Sequence, residues 1–179
     1  MNCFNQKIWC KTMTKFKIAM INTGGTFNKR YNPLNGELEV PKDSLALDEI
    51  LSFCHNVDFE VYNIVSKDSL DINDSDREDI VNLIQKLPQD NIIVVHGTDT
   101  MHLSAKFIDD RVKNKNIILT GAMFPQSINK TEATLNFAMA IGFLNSKIEN
   151  GVYISMHGSV KNHKKLVKDR AIGQFLNTL

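Results

Sequence analysis

Apolar residues along this chain gather into short runs, separated by stretches in which they recur every three or four positions. The runs are Lys17–Asn22 (KIAMIN), Asp58–Val65, Asn91–Val95 (NIIVV), Asn116–Leu119 and Gly151–Met156. Short apolar runs bounded by turn residues suit strands buried on both faces, while Asp58–Val65 alternates imperfectly but suits a second core strand. Between them, Ile80, Ile84 and Leu87 share one face of a helix predicted over Asn73–Leu87. Asn73, Asp74 or Ser75 is its expected cap, and Pro88 lies just past its end. Met101, Ala105, Ile108 and Val112 form the stripe of a second helix, and Thr131–Asn145 reads as a third, largely apolar one. After the first run, two short polar segments flank Asn35-Gly36, which predicts a β-hairpin with a two-residue turn.

Strands alternating with helices of this length imply parallel βαβ units with right-handed crossovers. The expected fold class is α/β: a single doubly wound, mostly parallel sheet with helices on both faces and a β-hairpin after the first strand. The 179 residues fit one domain, since domains typically run roughly 100–200 residues. Residues 1–15 read as a loose N-terminal extension and 16–179 as the domain, with no internal repeat or low-complexity linker.

Composition removes several classes of function. Twenty-one Lys and Arg against twenty Asp and Glu leave no electrostatic footprint for nucleic acid or an anionic membrane. No stretch approaches the roughly 18 apolar residues a spanning helix needs. The opening segment lacks the apolar core of a signal peptide. Three cysteines, Cys3, Cys10 and Cys54, with no C-x-x-C pair read as reduced thiols, so a cytoplasmic location is expected. The five histidines show neither H-E-x-x-H nor zinc-finger spacing, so no metal and no cofactor are expected. His96 is expected to be neutral and hydrogen-bonded. The basic run Lys161–Arg170 reads as a solvated face, Lys168 being set apart below.

Ligands of doubly wound sheets bind outside the carboxyl ends of the strands, and the chemically informative residues fall there. Thr23-Gly24-Gly25-Thr26 follows the first strand. Its glycines permit positive φ and close backbone approach, and its hydroxyls offer a nucleophile; a plain glycine turn fits equally. It is neither a Walker loop nor a dinucleotide fingerprint. In His96-Gly97-Thr98-Asp99-Thr100, Thr98 or Asp99 either caps the next helix or points into the cleft, where an aspartate suits a substrate ammonium. Asp68-Ser69-Leu70-Asp71 reads as a cap-rich loop, or as a place where a serine holds a carboxylate.

Together, TGGTF, HGTDTM and TGAMFP in this order resemble the bacterial-type L-asparaginase family, and KDSLDINDSD and GVYISMHGSV agree with it. The resemblance covers about Phe16 to Phe175. It implies hydrolysis of L-asparagine, or a related small amide, to the acid and ammonia. Thr26 then matches the nucleophile, and Thr98, Asp99 and Lys168 match a second catalytic group on the other side of the amide. Lys168 is reached without a gap from Met156. Tyr31 stands in for the tyrosine that activates the nucleophile, at shorter spacing. Ser69 falls where the family holds the α-carboxylate, Asp99 where it also holds the α-ammonium, and Ala122 where backbone meets the side-chain amide. Gly25, Asp68, Gly97 and Thr98 complete the implied binding set. Lys168 acts as a base only if desolvation lowers its pKa, and pairing with Asp99 works the other way.

Family members usually carry a second, C-terminal domain and assemble as homo-oligomers, so a homo-oligomer is expected here. This sequence ends at Leu179 without that domain. The expectations are an active single domain, or a catalytically weak or inactive amino-acid-binding module. Leu70 stands where the family often has a polar residue against substrate.

Overall fold

In the computed structural model, residues 15–178 are described. The expected extension over residues 1–15, with Cys3 and Cys10, therefore lies outside them except for Lys15. The chain runs β1 (Phe16–Gly24), β2 (Arg30–Asn32), β3 (Glu37–Glu39), α1 (Leu45–Leu51), β4 (Val57–Lys67), α2 (Asp74–Lys86), β5 (Asn91–Val95) and α3 (Met101–Arg111). It continues with β6 (Asn116–Thr120), α4 (Lys130–Leu144), β7 (Gly151–Met156), β8 (Ser159–Asn162), β9 (Leu166–Asp169) and β10 (Gln174–Asn177).

Six strands form one sheet in the order β4-β1-β5-β6-β7-β8. All neighbours are parallel except β7 and β8. Alternate residues of each central strand serve opposite faces, as a period of two requires. Ala19, Ile21, Ile92, Val94, Ile117 and Leu119 pack with Ile80, Ile84, Ala105 and Ile108 of α2 and α3. Ile18, Met20, Ile93, Val95 and Ile118 pack on the other face with Leu47 of α1 and Ala133, Phe137 and Ala140 of α4. Each such fully buried aliphatic side chain contributes about 1.5–3 kcal/mol relative to exposure. The doubly wound α/β fold with helices on both faces is thus present. No helix among the described residues is long and apolar enough to cross a membrane.

The helix over Asn73–Leu87 is capped by Asn73, whose side chain accepts from the Asp76 N–H while Asp76 accepts from the Asn73 N–H. The hairpin is also present, but its turn differs from expectation. Asn32 pairs with Glu37, leaving a four-residue loop, because the Asn32 carbonyl accepts from the Gly36 N–H and its side chain from the Leu34 N–H. Three elements were not predicted: α1, the antiparallel β8, and the β9–β10 hairpin, which forms its own two-stranded sheet.

The chain leaves β1 for β4 on one side and then crosses to β5 on the other. The carboxyl ends of β1 and β5 therefore flank the topological switch point, where such sheets bind ligands.

Candidate active site

Thr23 lies in the buried carboxyl end of β1, and its hydroxyl donates to the Val95 carbonyl at 2.8 Å, fastening the ends of β1 and β5 together. Gly24 (φ +103°) and Gly25 (φ +76°) then turn the chain through left-handed backbone that favours glycine. A Cβ on Gly25 would lie 2.5 Å from both the Cα and N of Gly97, and one on Gly97 would lie 2.6 Å from the Cβ of Ser69. The turns after β1, β4 and β5 are therefore in backbone contact. Thr26 and Thr98 each follow one of the two touching glycines.

β4 brings Ser69 to this junction by an irregular route. The β1–β4 register slips between Asn22 and Gly24, whose partners are Asn63 and Lys67. The extra residues include Val65 (φ 69°) and Ser66 (φ 53°), left-handed without being glycine. Such strain persists only where surrounding structure enforces it. Beyond the slip, the buried Ser69 hydroxyl accepts from the Asp99 N–H at 3.3 Å, and its carbonyl accepts from the Thr100 hydroxyl at 2.6 Å.

Lys168 closes the other side. Its ammonium donates to Thr98 Oγ1 and to Asp99 Oδ1, both at 2.8 Å, with a lysine side chain only 8% exposed. Arg170 lies 3.7 Å from the same carboxylate oxygen. Neither Thr98 nor Asp99 caps α3: its N-cap is Thr100, which makes no side-chain cap. The solvated-face reading of Lys161–Arg170, from which Lys168 was set apart, needs correction at His163. Lys168 turns inward, and His163 is buried 3.2 Å from Asp109.

Asp68 is engaged by Lys29 at 2.7 Å and by the Leu70 N–H at 3.2 Å. Burial disfavours its charge, but these hydrogen bonds outweigh burial and hold the carboxyl below its ordinary range. The Gly25 N–H is taken by the Lys67 carbonyl and is no free oxyanion donor. Ala122 is buried at the end of β6, where the preceding Gly121 packs so closely that a Cβ would lie 2.4 Å from the His96 carbonyl. Tyr31 is not brought in: it sits on β2 with 64% of its surface exposed. Leu70, at the mouth, is also exposed.

His96 is fully buried behind these turns and is pushed down to about 4, chiefly by burial, with its hydrogen bond to Gly97 working the other way. Its Nδ1–H donates to the Gly97 carbonyl at 2.8 Å, and its Nε2 accepts from Ser104 at 2.8 Å. Ser104 in turn accepts from Arg77 Nε at 3.1 Å. The neutral histidine expected at this turn is what the network requires. Asn136 and Glu132 of α4 also serve the site's loops, and sequence reasoning missed both. Asn136 donates to the Gly121 carbonyl, while Glu132 accepts from the N–H groups of Met123 and Phe124. The acidic residue in the first turn of a helix was their one visible signal. Among the described residues, no cluster of His, Cys, Asp and Glu is arranged to hold a metal.

Comparison with known proteins agrees with this architecture. A glutamyl-tRNA(Gln) amidotransferase chain from Nanoarchaeum equitans is 31% identical over 152 residues, 81% of this chain but 38% of its own length. A probable periplasmic L-asparaginase from Haemophilus influenzae is 29% identical over 164 residues, 84% of this chain and 46% of its own length. The thermostable L-asparaginase from Thermococcus kodakarensis superposes with a TM-score of 0.79 at 22% identity, over 90% of this chain and 51% of that one. The chain thus spans about half or less of the length of these relatives. The family model "Asparaginase, N-terminal" matches residues 17–172, and the chain belongs to that family.

Proposed function

We propose that this protein is an amidohydrolase that cleaves L-asparagine, or a closely related small amide, to the acid and ammonia. The observation that carries the reading is the contact of Gly25 with Gly97, which sets Thr26 on one turn and the Thr98–Asp99–Lys168 group on its neighbour. The Thr26 hydroxyl attacks the amide carbon, and a new ester C–O bond forms as the C–N bond breaks. A threonine hydroxyl is weak at neutral pH and needs a proton acceptor nearby. Thr98, with Lys168 hydrogen-bonded behind it, carries protons between the nucleophile and the departing ammonia. Water then splits the ester, releasing the acid and restoring the Thr26 hydroxyl. Ser69 receives the substrate carboxylate and Asp99 its ammonium; Gly25, Gly97 and Ala122 border the amide, and Asp68 steadies the turn through Lys29. No cofactor enters this scheme. Among the described residues Cys54 forms no disulfide, and a cytoplasmic setting is part of the proposal.

The similarity to a glutamyl-tRNA(Gln) amidotransferase supports a second reading, in which glutamine is the amide and a partner chain is required. In a third, the domain binds an amino acid with weak or no turnover. A homo-oligomer is part of the amidohydrolase reading by family resemblance. Ammonia release from millimolar Asn and Gln tests the reading, with calorimetric titration of Asp alongside. Turnover of Asn supports it. Turnover of Gln alone favours the second reading, and Asp binding without ammonia favours the third.

A further inference from the structure

Lys168 reaches Thr98 and Asp99 from a hairpin that shares no ladder hydrogen bonds with the six-stranded sheet. Packing of the buried Leu166 and Phe175 seats that hairpin on the core, but hydrophobic contact is non-directional and does not set its register. A directional link exists. Phe175 pairs with Lys168 across the hairpin, and the Phe175 N–H donates to His157 Nδ1 at 3.2 Å. That bond assigns the tautomer: Nδ1 carries no proton, so Nε2 does. Nε2 lies 3.3 Å from Glu132 Oε1. The same carboxylate accepts from the Met123 N–H at 2.9 Å and the Phe124 N–H at 3.1 Å, the two residues that follow Ala122.

His157 is itself held in an unusual way. Its φ is 50°, its N–H donates to Asn136 Oδ1 at 3.0 Å, and its ring meets Phe175 edge-on at 5.7 Å. A non-glycine residue stays in left-handed backbone only where its surroundings enforce it. Here the turn aims the imidazole between α4 and the hairpin.

We propose that His157 and Glu132 are positioning residues that hold Lys168 against Thr98 and Asp99 and tie that hairpin to the Ala122 loop. The inference rests on the reading of Lys168 as part of the working site. Neither residue bonds Lys168: His157 acts through the Phe175 N–H, and Glu132 acts through His157.

Three substitutions separate the two ends of the imidazole. His157→Asn places an amide oxygen where Nδ1 lies and keeps an acceptor for Phe175. His157→Gln extends a donor toward Glu132 and loses that acceptor, and His157→Leu keeps neither. Lys168 protection is read without reference to activity, by trace acetylation with acetic anhydride and mapping by mass spectrometry. In wild type and His157→Asn, Lys168 should acetylate far more slowly than exposed Lys165. In the Gln and Leu variants it should approach the Lys165 rate. With amide substrate, kcat should fall about 10²-fold in the Gln and Leu variants, as for a misplacement near 1 Å. KM should change little, and Asn should restore most of kcat. Unchanged Lys168 protection in folded Gln and Leu variants overturns the proposal, even if they melt earlier. If Leu fails to fold, the Asn and Gln pair decides. A wild type that releases no ammonia refutes the amidohydrolase reading, while the acetylation pattern still decides the positioning role.

Discussion

Acidification from pH 7 to pH 5 should remove about 2 kcal/mol of folding stability through His96 alone. The imidazole is fully buried, with Nδ1–H donating to Gly97 and Nε2 accepting from Ser104. Burial chiefly pushes it down to about 4, from an ordinary value of 6.5. Between those values the unfolded chain binds a proton that the folded chain refuses, so stability falls as pH falls. The whole shift is worth about 3 kcal/mol below pH 4, at about 1.4 kcal/mol for each unit. The interval from pH 7 to pH 5 captures a little over half of it. His102 and His163 are also pushed down, mainly by burial, and titrate in the same direction. Comparison with His96→Asn cancels them, because both remain in the variant. Urea unfolding of the two proteins at pH 7 and pH 5 gives the four stabilities required. The variant is less stable at pH 7, but it should lose about 2 kcal/mol less on acidification than wild type does. Equal losses in the two proteins would refute the buried, neutral histidine and the relay through Ser104 and Arg77.

Two further outcomes follow from the contact of the turns. Gly97→Ala places a Cβ 2.6 Å from the Ser69 Cβ and 2.8 Å from its Oγ. Overpacking of this kind costs about 1–3 kcal/mol, so the urea midpoint should drop and KM for amide should rise; an unchanged midpoint would show that the turns are not in contact. Ser69→Ala removes the acceptor of the Asp99 N–H and the proposed carboxylate partner. KM should rise at least tenfold while kcat changes less, by loss of a charge-assisted hydrogen bond worth about 1.5–3 kcal/mol; an unchanged KM assigns the carboxylate elsewhere.

The central sheet was legible because Ile92–Val95 and Ile117–Leu119 are apolar on both faces, which only burial between two helical layers satisfies. The start of α2 was legible to within three neighbouring caps, Asn73, Asp74 and Ser75; the structure selects Asn73 and adds Asp76 as its capping-box partner. The site was partly legible for the same local reason: glycines and hydroxyls fall just after strands. What was hidden depends on partners far along the chain. Asp99 reads equally as a helix cap or a cleft residue until Lys168, on a distant hairpin, takes its carboxylate. Lys168 was reached through the resemblance alone, since no local pattern marks which lysine of the basic run turns inward. The slip at Val65 and Ser66 carries no glycine to announce its left-handed backbone. The seven-residue α1 is too short to show a helical period. Tyr31 matched a role in the resemblance, but the hairpin that carries it leaves it exposed.

The most direct measurement is steady-state ammonia release from Asn by wild type, Thr26→Ser and Thr26→Ala, each shown to be folded by its urea transition. The account predicts clear release by wild type, reduced but measurable release by the serine variant, and none by the alanine variant. Release by Thr26→Ala at the wild-type rate would contradict it, because the hydroxyl set beside Gly25 would then play no part in breaking the amide.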